Sequence, residues 1–256
     1  MRILTEASGS LVAAQMIKAI QEAGHEAVGS DIDTLNAGYC LADCFVTVPR
    51  CDARELWKTM EQLLVANGIE IVLPSLDETL HGWASRKDYF ARKGIHIIIS
   101  PADTIAVFQD KWETFNFFSQ HNIPCPRTSL TQDFPLVKPG FGRGSEGVHC
   151  PQTSIPMDGL VSQEVATGEE YTVDTLFDRD GDLVYCVPRK RLNVKNGKST
   201  RGIVCRHEGI DHYIEKMWQA IQFMGPINFQ CFVDGDKISF IEINPRIAGG
   251  MSLGFA

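Results

Sequence analysis

Several features are missing from this sequence of 256 residues, and each absence excludes a class of protein. No apolar run approaches the roughly 20 residues that a membrane-spanning helix needs. The chain opens directly on a strand-like segment, so we expect no signal peptide. Positive charge is in deficit, and a net charge of −8 argues against a nucleic-acid binder that depends on phosphate contacts. A cytoplasmic protein without membrane or nucleic-acid partners is therefore predicted.

Metal-binding and disulfide-forming patterns are also missing. Eight cysteines are scattered along the chain without a Cys-x-x-Cys pair or a tight cluster of cysteine and histidine. Both a zinc site and a disulfide framework are therefore disfavoured, and reduced thiols are expected. The loop after the first predicted strand contains Gly9 but no Gly-x-Gly-x-x-Gly, so a dinucleotide site there is poorly supported.

The first part of the chain alternates between strand-like and helix-like segments. Short apolar runs predict the strands, and apolar residues at helical spacing predict the helices. The predicted strands are 1–4, 26–30, 45–48, 69–73 and 96–100, and the predicted helices are 11–23, 53–67 and a segment that ends at Tyr89. This alternation predicts a parallel sheet with helices on both faces.

Polar residues follow the first and the fourth predicted strands, where sheets of this class bind ligands. They are Glu6, Ser8 and Gly9 after the first strand, and Ser75, Asp77 and Glu78 after the fourth. A binding site is one interpretation. The other is ordinary structure, because a tight turn accounts for the first group and a helix N-terminus with acids in its first turn accounts for the second.

Beyond Pro101 the chain becomes rich in strands. Helices are predicted at 110–121 and 211–224, and strands at 136–138, 160–164, 171–177, 183–188, 202–205, 227–233 and 237–243. Asp180-Gly181 and Asn196-Gly197 are typical of hairpin turns. The predicted fold class is therefore α/β, with an α+β second half.

A lysine precedes a glycine-rich loop in the middle of the chain. Lys138 ends a predicted strand, and four glycines follow among residues 140–147. Lysine supplies charge and glycines let backbone N–H groups approach a polyphosphate, so the segment is typical of a hairpin lid over phosphates. Gly142, Gly144 and Gly147 have dinucleotide-motif spacing, but no helix follows them. A surface hairpin without a ligand is the alternative.

Near the end of the chain, Glu242 and Asn244 lie two residues apart in a predicted strand. Because the side-chain period of a strand is two, both point to the same face. A carboxylate beside an amide oxygen suits a hard cation such as Mg²⁺. Arg246 lies just beyond Pro245 and could meet an anion. Polar residues of an edge strand that face solvent are the alternative.

Two further groups of residues have open interpretations. Gln163-Glu164-Val165 ends a strand that could offer backbone groups to an adenine edge, and a carboxylate of the following loop, at Glu169 or Glu170, could hold ribose hydroxyls. An acidic loop exposed to water explains these residues equally well. Arg189 and Arg191 share a strand face and could bind phosphate or an acidic substrate, or they could be solvated.

The order of these residues resembles that of the ATP-grasp superfamily, and within it the carbamoyl-phosphate synthase large-chain-like carboxylate–amine ligases. The matching positions are Asp110-Lys111, Lys138, the glycine-rich loop, Glu164-Val165, Glu170, Gln230, Glu242 and Asn244-Pro245-Arg246. The Glu-x-Asn-Pro-Arg motif is the most specific, because its distance from Lys138 also fits. The resemblance spans nearly the whole chain and implies a Rossmann-like domain before the ATP-grasp fold.

The resemblance implies a role for each matching residue. Nucleotide phosphates would be bound by Lys138 and Lys111 with Gly142 and Gly144 in the lid, adenine would be framed by Glu164 and Val165, and ribose would be held by Glu170. Mg²⁺, or Mn²⁺ in its place, would be held by Gln230, Glu242 and Asn244. The catalytic set would be Lys138, Arg191 and Arg246, with Arg201 as a weaker candidate for substrate contact.

The implied activity is ATP-dependent ligation of a small-molecule carboxylate to an amine, through an acyl phosphate and with release of ADP and phosphate. Amino acids are candidate substrates, and a homodimer is among the expectations. A non-catalytic ATP-binding module, or a subunit of a larger synthetase, is the alternative.

The implied domain organisation has two parts. Residues 1–108 would form the Rossmann-like domain and residues 109–256 the ATP-grasp domain, with a lid at about 125–178 and a C-terminal subdomain from 179. The family continues with further helical structure, whereas this sequence stops ten residues after Arg246, so a truncated C-terminal subdomain is expected.

Overall fold

The computed structural model describes residues 1–142, 144, 146–195 and 198–250, and the chain divides into two compact units. The first unit holds Met1–Ile99 and the segment that begins at Arg246, and the second holds Ser100–Pro245. The hairpin turn predicted at Asn196-Gly197 lies outside the described residues. Each unit has its own core, with one sheet in the first unit and two sheets in the second.

The first unit is built on a parallel sheet. Its strands are β1 (Arg2–Thr5), β2 (Glu26–Asp31), β3 (Cys44–Thr47), β4 (Ile71–Leu73) and β5 (His96–Ile97). They are arranged in the order β3-β2-β1-β4-β5, and every pair is parallel. Consecutive residues are buried in β1 and β2, so both faces of the sheet are covered. The predicted parallel sheet is confirmed.

Five helices lie among the described residues of this unit. They are α1 (Ala13–Glu22), α2 (Ala37–Leu41), α3 (Leu56–Ala66), α4 (Asp77–Ala84) and α5 (Lys87–Ala91). In α1, apolar residues at helical spacing form the buried face, and Gly24 follows the helix with a φ of +76°. The short helix α2 has no counterpart in the predicted elements. Asn36 caps it, because its side chain accepts a hydrogen bond from the backbone N–H of Tyr39 at 3.1 Å.

The second unit combines three helices with two antiparallel sheets. The helices are α6 (Ala102–Gln109), α7 (Lys111–Gln120) and α8 (Glu208–Ala220), and the strands of the smaller sheet are β6 (Thr128–Ser129), β7 (Leu136–Pro139) and β8 (Leu160–Gln163). In this sheet β8 lies between β6 and β7. Asp110 caps α7 by accepting the backbone N–H of Trp112 at 2.8 Å, which places Lys111 at the first position of the helix.

The larger sheet of the second unit has five strands. In chain order they are β9 (Glu169–Phe177), β10 (Leu183–Lys195), β11 (Lys198–Val204), β12 (Gly225–Asp234) and β13 (Lys237–Asn244), and their spatial order is β11-β10-β9-β12-β13. One face carries buried apolar side chains such as Val173, Phe229 and Ile243, which share a core cluster with residues of α6, α7 and α8. The other face therefore remains available for polar side chains.

A β-bulge in β13 keeps these two faces distinct. Gln230 of β12 pairs with Glu242, whereas the next residue, Cys231, pairs with Phe240, so Ile241 has no partner in the ladder. Without the bulge, Phe240 and Glu242 would point to the same face. The extra residue lets Phe240 enter the apolar core while Glu242 lies on the polar face.

The predicted division into domains, with its boundary at 108–109 and its lid at about 125–178, stays a prediction. Among the described residues, no helix combines the length and the apolar character needed to cross a membrane.

Candidate nucleotide and metal site

The polar face of the larger sheet carries all three predicted metal ligands. Gln230 lies directly opposite Glu242, and Asn228 lies directly opposite Asn244, in the β12–β13 ladder. Directly opposed residues of an antiparallel pair point to the same face, with Cβ atoms about 4.5–5.5 Å apart. Gln230, Glu242 and Asn244 therefore lie together on one face, as the two-residue spacing of Glu242 and Asn244 predicts.

These three residues supply one carboxylate and two amide oxygens, which are the hard donors that Mg²⁺ prefers. Among the described residues, no group of three or more histidine, cysteine, aspartate or glutamate side chains is arranged to hold a metal ion. A site of the zinc type is accordingly not found in that part of the chain, and the donor set fits a magnesium ion that also binds phosphate oxygens.

A buried polar layer lies on the same face. The Asn228 side-chain amide donates to Thr172 Oγ1 at 2.6 Å and to Asp174 Oδ1 at 2.8 Å. Arg189 Nε donates to Asp174 Oδ2 at 2.6 Å, and the side chains of Arg189 and Asp174 are only 2% and 0% exposed. Arg189, for which phosphate binding was one interpretation, thus neutralises a buried carboxylate beside the strands that carry the predicted metal ligands.

Sequence reasoning missed Asp174, Asn228 and Thr172 as members of this site. The alternation in β9 contains a signal, because Thr172 and Asp174 alternate with the buried residues Tyr171 and Val173. An acid in a strand whose neighbours are buried needs a partner. That partner, Arg189, is recognisable only once the register of β9 and β10 is known.

Glu170 and Arg191 contact one another across the β9–β10 pair. One guanidinium nitrogen of Arg191 forms a short ion pair with Glu170 Oε1, and the side chains are 8% and 19% exposed for Arg191 and Glu170, respectively. The structure therefore brings the predicted ribose ligand and the predicted substrate contact together. Arg201, the weaker candidate, is exposed on β11 opposite Leu192.

Lys138 is buried at the end of β7, with 8% of its surface exposed. Its Nζ donates to the Gln163 side-chain oxygen at 2.7 Å. Burial lowers the pKa of Lys138 to about 8, although the charge of Glu242 acts to raise this pKa and that of Lys111 lowers it further. A predicted phosphate-binding lysine and a predicted metal ligand are thus close enough for electrostatic coupling.

Lys111 contacts the glycine-rich loop. Its backbone N–H donates to the Gly140 carbonyl at 3.0 Å, and its Nζ donates to the Gly142 carbonyl at 2.9 Å. Gly142 and Gly144 have φ values of +126° and +65°, which side chains rarely adopt. The backbone conformation at Gly142 and Gly144 therefore requires glycine. Lys111 contacts this loop directly, and Lys138 lies two residues before it in the chain.

Glu164 and Val165 follow β8. The Glu164 carboxylate accepts the Arg127 backbone N–H at 3.0 Å and Arg127 Nε at 2.7 Å, and these hydrogen bonds lower the pKa of Glu164. The Val165 side chain is exposed. Framing of adenine by Glu164 and Val165 stays a prediction, and the carboxylate of Glu164 is already engaged by Arg127.

In the first unit, predicted polar residues contact one another and their neighbours. Arg246 forms a bidentate pair with Asp77, with Nε–Oδ1 and Nη2–Oδ2 distances of 2.8 Å each. Glu6 is buried, and its carboxylate accepts the backbone N–H of Ser75 at 3.0 Å and the indole N–H of Trp83 at 2.8 Å. Glu6 therefore ties β1 to the start of α4.

The first turn of this unit is also occupied by its own side chains. The Gly9 N–H donates to Asp31 Oδ2 at 2.8 Å, and the Ser30 N–H donates to Ser8 Oγ at 2.7 Å. A carboxylate from β2 thus takes the backbone N–H at Gly9, in the turn where a dinucleotide fold binds phosphate. This arrangement agrees with the absence of a dinucleotide motif.

Two family models match parts of this chain. Residues 157–256 match the family described as "ATP-grasp in the biosynthetic pathway with Ter operon", and residues 5–98 match "PylC-like, N-terminal domain". The two models match different parts of the chain, and neither covers half of it. The ATP-grasp match over residues 157–256 agrees with the superfamily that the order of the motifs predicts.

Solved structures agree on the fold. Pyruvate carboxylase of Rhizobium etli is 16% identical with a TM-score of 0.78, over 99% of this chain and 27% of that chain. The biotin carboxylase domain of Hydrogenobacter thermophilus 2-oxoglutarate carboxylase is 16% identical with a TM-score of 0.76, over 97% and 65% of the two chains. L-amino acid ligase of Bacillus licheniformis is 16% identical with a TM-score of 0.74, over 98% and 68%. This chain therefore spans less than two thirds of the two carboxylases.

Proposed function

We propose that this protein is a Mg-ATP-dependent carboxylate–amine ligase. The observation that carries the proposal is the common face of Gln230, Glu242 and Asn244, with Lys138 near enough for Glu242 to affect its pKa. The family match supports nucleotide chemistry, and the Hydrogenobacter carboxylase domain was solved with MgADP. The ligase from Bacillus licheniformis supports the joining of a carboxylate and an amine.

The proposed chemistry needs charge neutralisation more than it needs a side-chain nucleophile. When bound, Mg²⁺ would neutralise charge on the nucleotide phosphates, held by Gln230, Glu242 and Asn244. Lys138 and Lys111 would bind phosphate oxygens, and the glycine-rich loop would offer backbone N–H groups and exclude water. Glu170 would hold the ribose.

The proposed reaction has two steps. A substrate carboxylate attacks the γ-phosphorus of ATP, which forms an acyl phosphate and releases ADP. The amine then attacks the acyl carbon, loses a proton and releases phosphate. Arg246, which Asp77 holds by two hydrogen bonds, is proposed to stabilise the phosphoryl group, and Arg191 to contact the substrate or the acyl phosphate.

The carbamoyl-phosphate synthase-like specificity is part of the proposal, and so are small-molecule carboxylate and amine substrates, with amino acids as candidates. A homodimer is proposed as well. It is supported by the biotin carboxylase domain from Hydrogenobacter thermophilus, which was solved as a dimer. Light scattering of the purified protein would test this oligomeric state.

Analysis of nucleotide products tests the reaction. The protein is incubated with Mg-ATP and with separate pools of amino acids and small carboxylic acids. We expect ADP and phosphate whose formation depends on one pool or one pair of pools. AMP and pyrophosphate would overturn the acyl-phosphate mechanism, and tight ATP binding without any product would favour a binding module.

A further inference from the structure

The buried lysine of β7 is held by a chain of polar side chains that the proposed reaction does not itself use. Lys138 Nζ donates to Gln163 Oε1 at 2.7 Å, and Gln163 Nε2 donates to Thr128 Oγ1 at 2.9 Å. Thr128 Oγ1 in turn donates to the Pro126 carbonyl at 3.2 Å. Lys138, Gln163 and Thr128 are 8%, 6% and 6% exposed, so the chain lies in the interior.

The direction of each hydrogen bond follows from the chemistry of the groups. The Pro126 carbonyl can only accept, so the Thr128 hydroxyl donates to it and keeps its oxygen free to accept from Gln163. The Gln163 amide must then present its N–H₂ to Thr128 and its oxygen to Lys138. A flipped amide would place two donors against each other, so Thr128 fixes the orientation of Gln163.

The strand pairings hold this chain in place. Gln163 is the last residue of β8 and lies between Thr128 of β6 and Leu136 of β7, two residues before Lys138. A lysine side chain has many rotamers, and a buried acceptor at one fixed position selects among them. Residues from all three strands of the smaller sheet thus fix the orientation of the Lys138 ammonium group.

We propose that Gln163 and Thr128 are positioning residues that aim the Lys138 ammonium at the nucleotide. This inference rests on the proposed function, in which Lys138 binds phosphate. Gln163 acts on Lys138 directly, and Thr128 acts on Lys138 only through Gln163. Neither residue needs to touch the phosphates.

The choice of an amide at position 163 has a consequence for charge. The charge of Glu242 in β13 acts to raise the pKa of Lys138, and the charge of Lys111 in α7 acts to lower it. A carboxylate at position 163 would pair with the ammonium and cancel its charge, whereas the amide oxygen orients it without doing so. The charge of the protonated lysine therefore stays available for phosphate.

A double-mutant cycle on nucleotide binding tests the proposal. The variants are Thr128→Val, which keeps the shape but removes the hydroxyl, the conservative control Thr128→Ser, and Lys138→Met alone and combined with Thr128→Val. The measured quantity is the Kd for Mg-ADP by titration calorimetry. Thermal unfolding of each variant shows whether it remains folded.

We expect Thr128→Val to weaken Mg-ADP binding by about three- to tenfold, which is the range for one lost hydrogen bond. Thr128→Ser should stay within about twofold of wild type. In the Lys138→Met background, Thr128→Val should have no further effect, because the group it orients is gone. Equal losses in both backgrounds, or an equal defect in Thr128→Ser, would overturn the proposal.

A second measurement separates this inference from the proposed function. In protein labelled with ¹⁵N-lysine, the Lys138 Nζ signal is assigned as the one that Lys138→Met removes. Thr128→Val should shift this signal without any nucleotide present, and Thr128→Ser should leave it in place. An unchanged signal in Thr128→Val contradicts the positioning role. If the wild type binds no nucleotide, the proposed function fails while this measurement still decides the inference.

Discussion

Lys138 illustrates how a single residue can connect burial with ligand affinity. Its ammonium is enclosed by protein, and burial lowers its pKa to about 8, against 10.5 for a solvated lysine. The protonated form is the one that binds phosphate. The proposed nucleotide affinity should therefore be full below pH 8 and should fall as the pH rises through this value.

Above pH 8, the Kd for Mg-ADP is expected to rise by up to about tenfold per pH unit and to level off at the Kd of Lys138→Met, because each unit removes most of the remaining ammonium. Lys138→Arg serves as the control, since arginine keeps its charge to a pKa above about 12. Binding titrations from pH 6.5 to 9.5 check this prediction. A Kd for the wild type that does not change up to pH 9 would contradict the role of Lys138.

Glu6, unlike Lys138, is expected to affect the stability of the fold and not the affinity for nucleotide. Its carboxylate accepts from Ser75 N, Leu76 N, Thr79 Oγ1 and Trp83 Nε1, at distances of 2.8–3.2 Å. Glu6→Ala leaves several of these buried donors without an acceptor. We expect a loss of about 3 kcal/mol or more in the free energy of unfolding.

Urea denaturation of Glu6→Ala against wild type measures this loss. Glu22→Gln is the matched control, because Glu22 is a surface acid of the same unit whose side chain is 67% exposed. Glu22→Gln should change the free energy of unfolding by no more than about 0.5 kcal/mol. Equal stabilities for Glu6→Ala and Glu22→Gln would show that the network around Glu6 contributes nothing.

At the scale of secondary-structure elements, the bulge in β13 decides which face the proposed metal ligands occupy. Inserting one alanine between Gln230 and Cys231 would give Ile241 a partner and restore strict alternation, and then either Phe240 would leave the core or Glu242 would enter it. Burial of an unpaired carboxylate costs several kcal/mol, so we expect the insertion to unfold the second unit. Ile241→Ala keeps the backbone count and should remain folded.

Circular dichroism and denaturant titration of the insertion variant and of Ile241→Ala check this expectation. An insertion variant with wild-type stability would mean that the ladder can be rearranged without loss. The same result would remove the structural reason for assigning Glu242 and Asn244 to the polar face.

The elements also show what local sequence can and cannot predict. Alternation of strands and helices was sufficient for the parallel sheet, and the spacing of Glu242 and Asn244 was sufficient for their common face. The helix α2 was missed because it has only five residues and leaves Tyr39 and Leu41 exposed, so it has no apolar stripe.

Pairs of side chains on neighbouring strands could not be predicted from the sequence for a different reason. The pairs Asp174–Arg189 and Glu170–Arg191 depend on the register of β9 and β10, which is a long-range property. The bulge at Ile241 was hidden as well, because Phe240-Ile241-Glu242-Ile243 contains more apolar residues than one face can accept. Motif order supplied the candidate residues, and the sheet register supplied their partners.

At the scale of the whole molecule, the second unit is proposed to hold Mg-ATP on the polar face of its larger sheet. Three proposed metal ligands, two lysines and the glycine-rich loop belong to this unit, and the family match covers 157–256. The first unit contains the Asp77–Arg246 pair, and a role for Arg246 in the reaction is a proposal. Glu242 is the residue that the proposed site depends on most, because it is the carboxylate among the three proposed metal ligands and its charge also affects the pKa of Lys138.

The most direct test is the rate of ADP formation by wild type, Glu242→Ala and Asp236→Asn in the substrate pool that supports turnover. Asp236 is an exposed acid in the turn between the same two strands, so it controls for the loss of one negative charge. We predict that Glu242→Ala retains less than about one hundredth of the wild-type rate with an unchanged Tm, and that Asp236→Asn stays within about twofold. Near-normal turnover of Glu242→Ala would contradict the central claim.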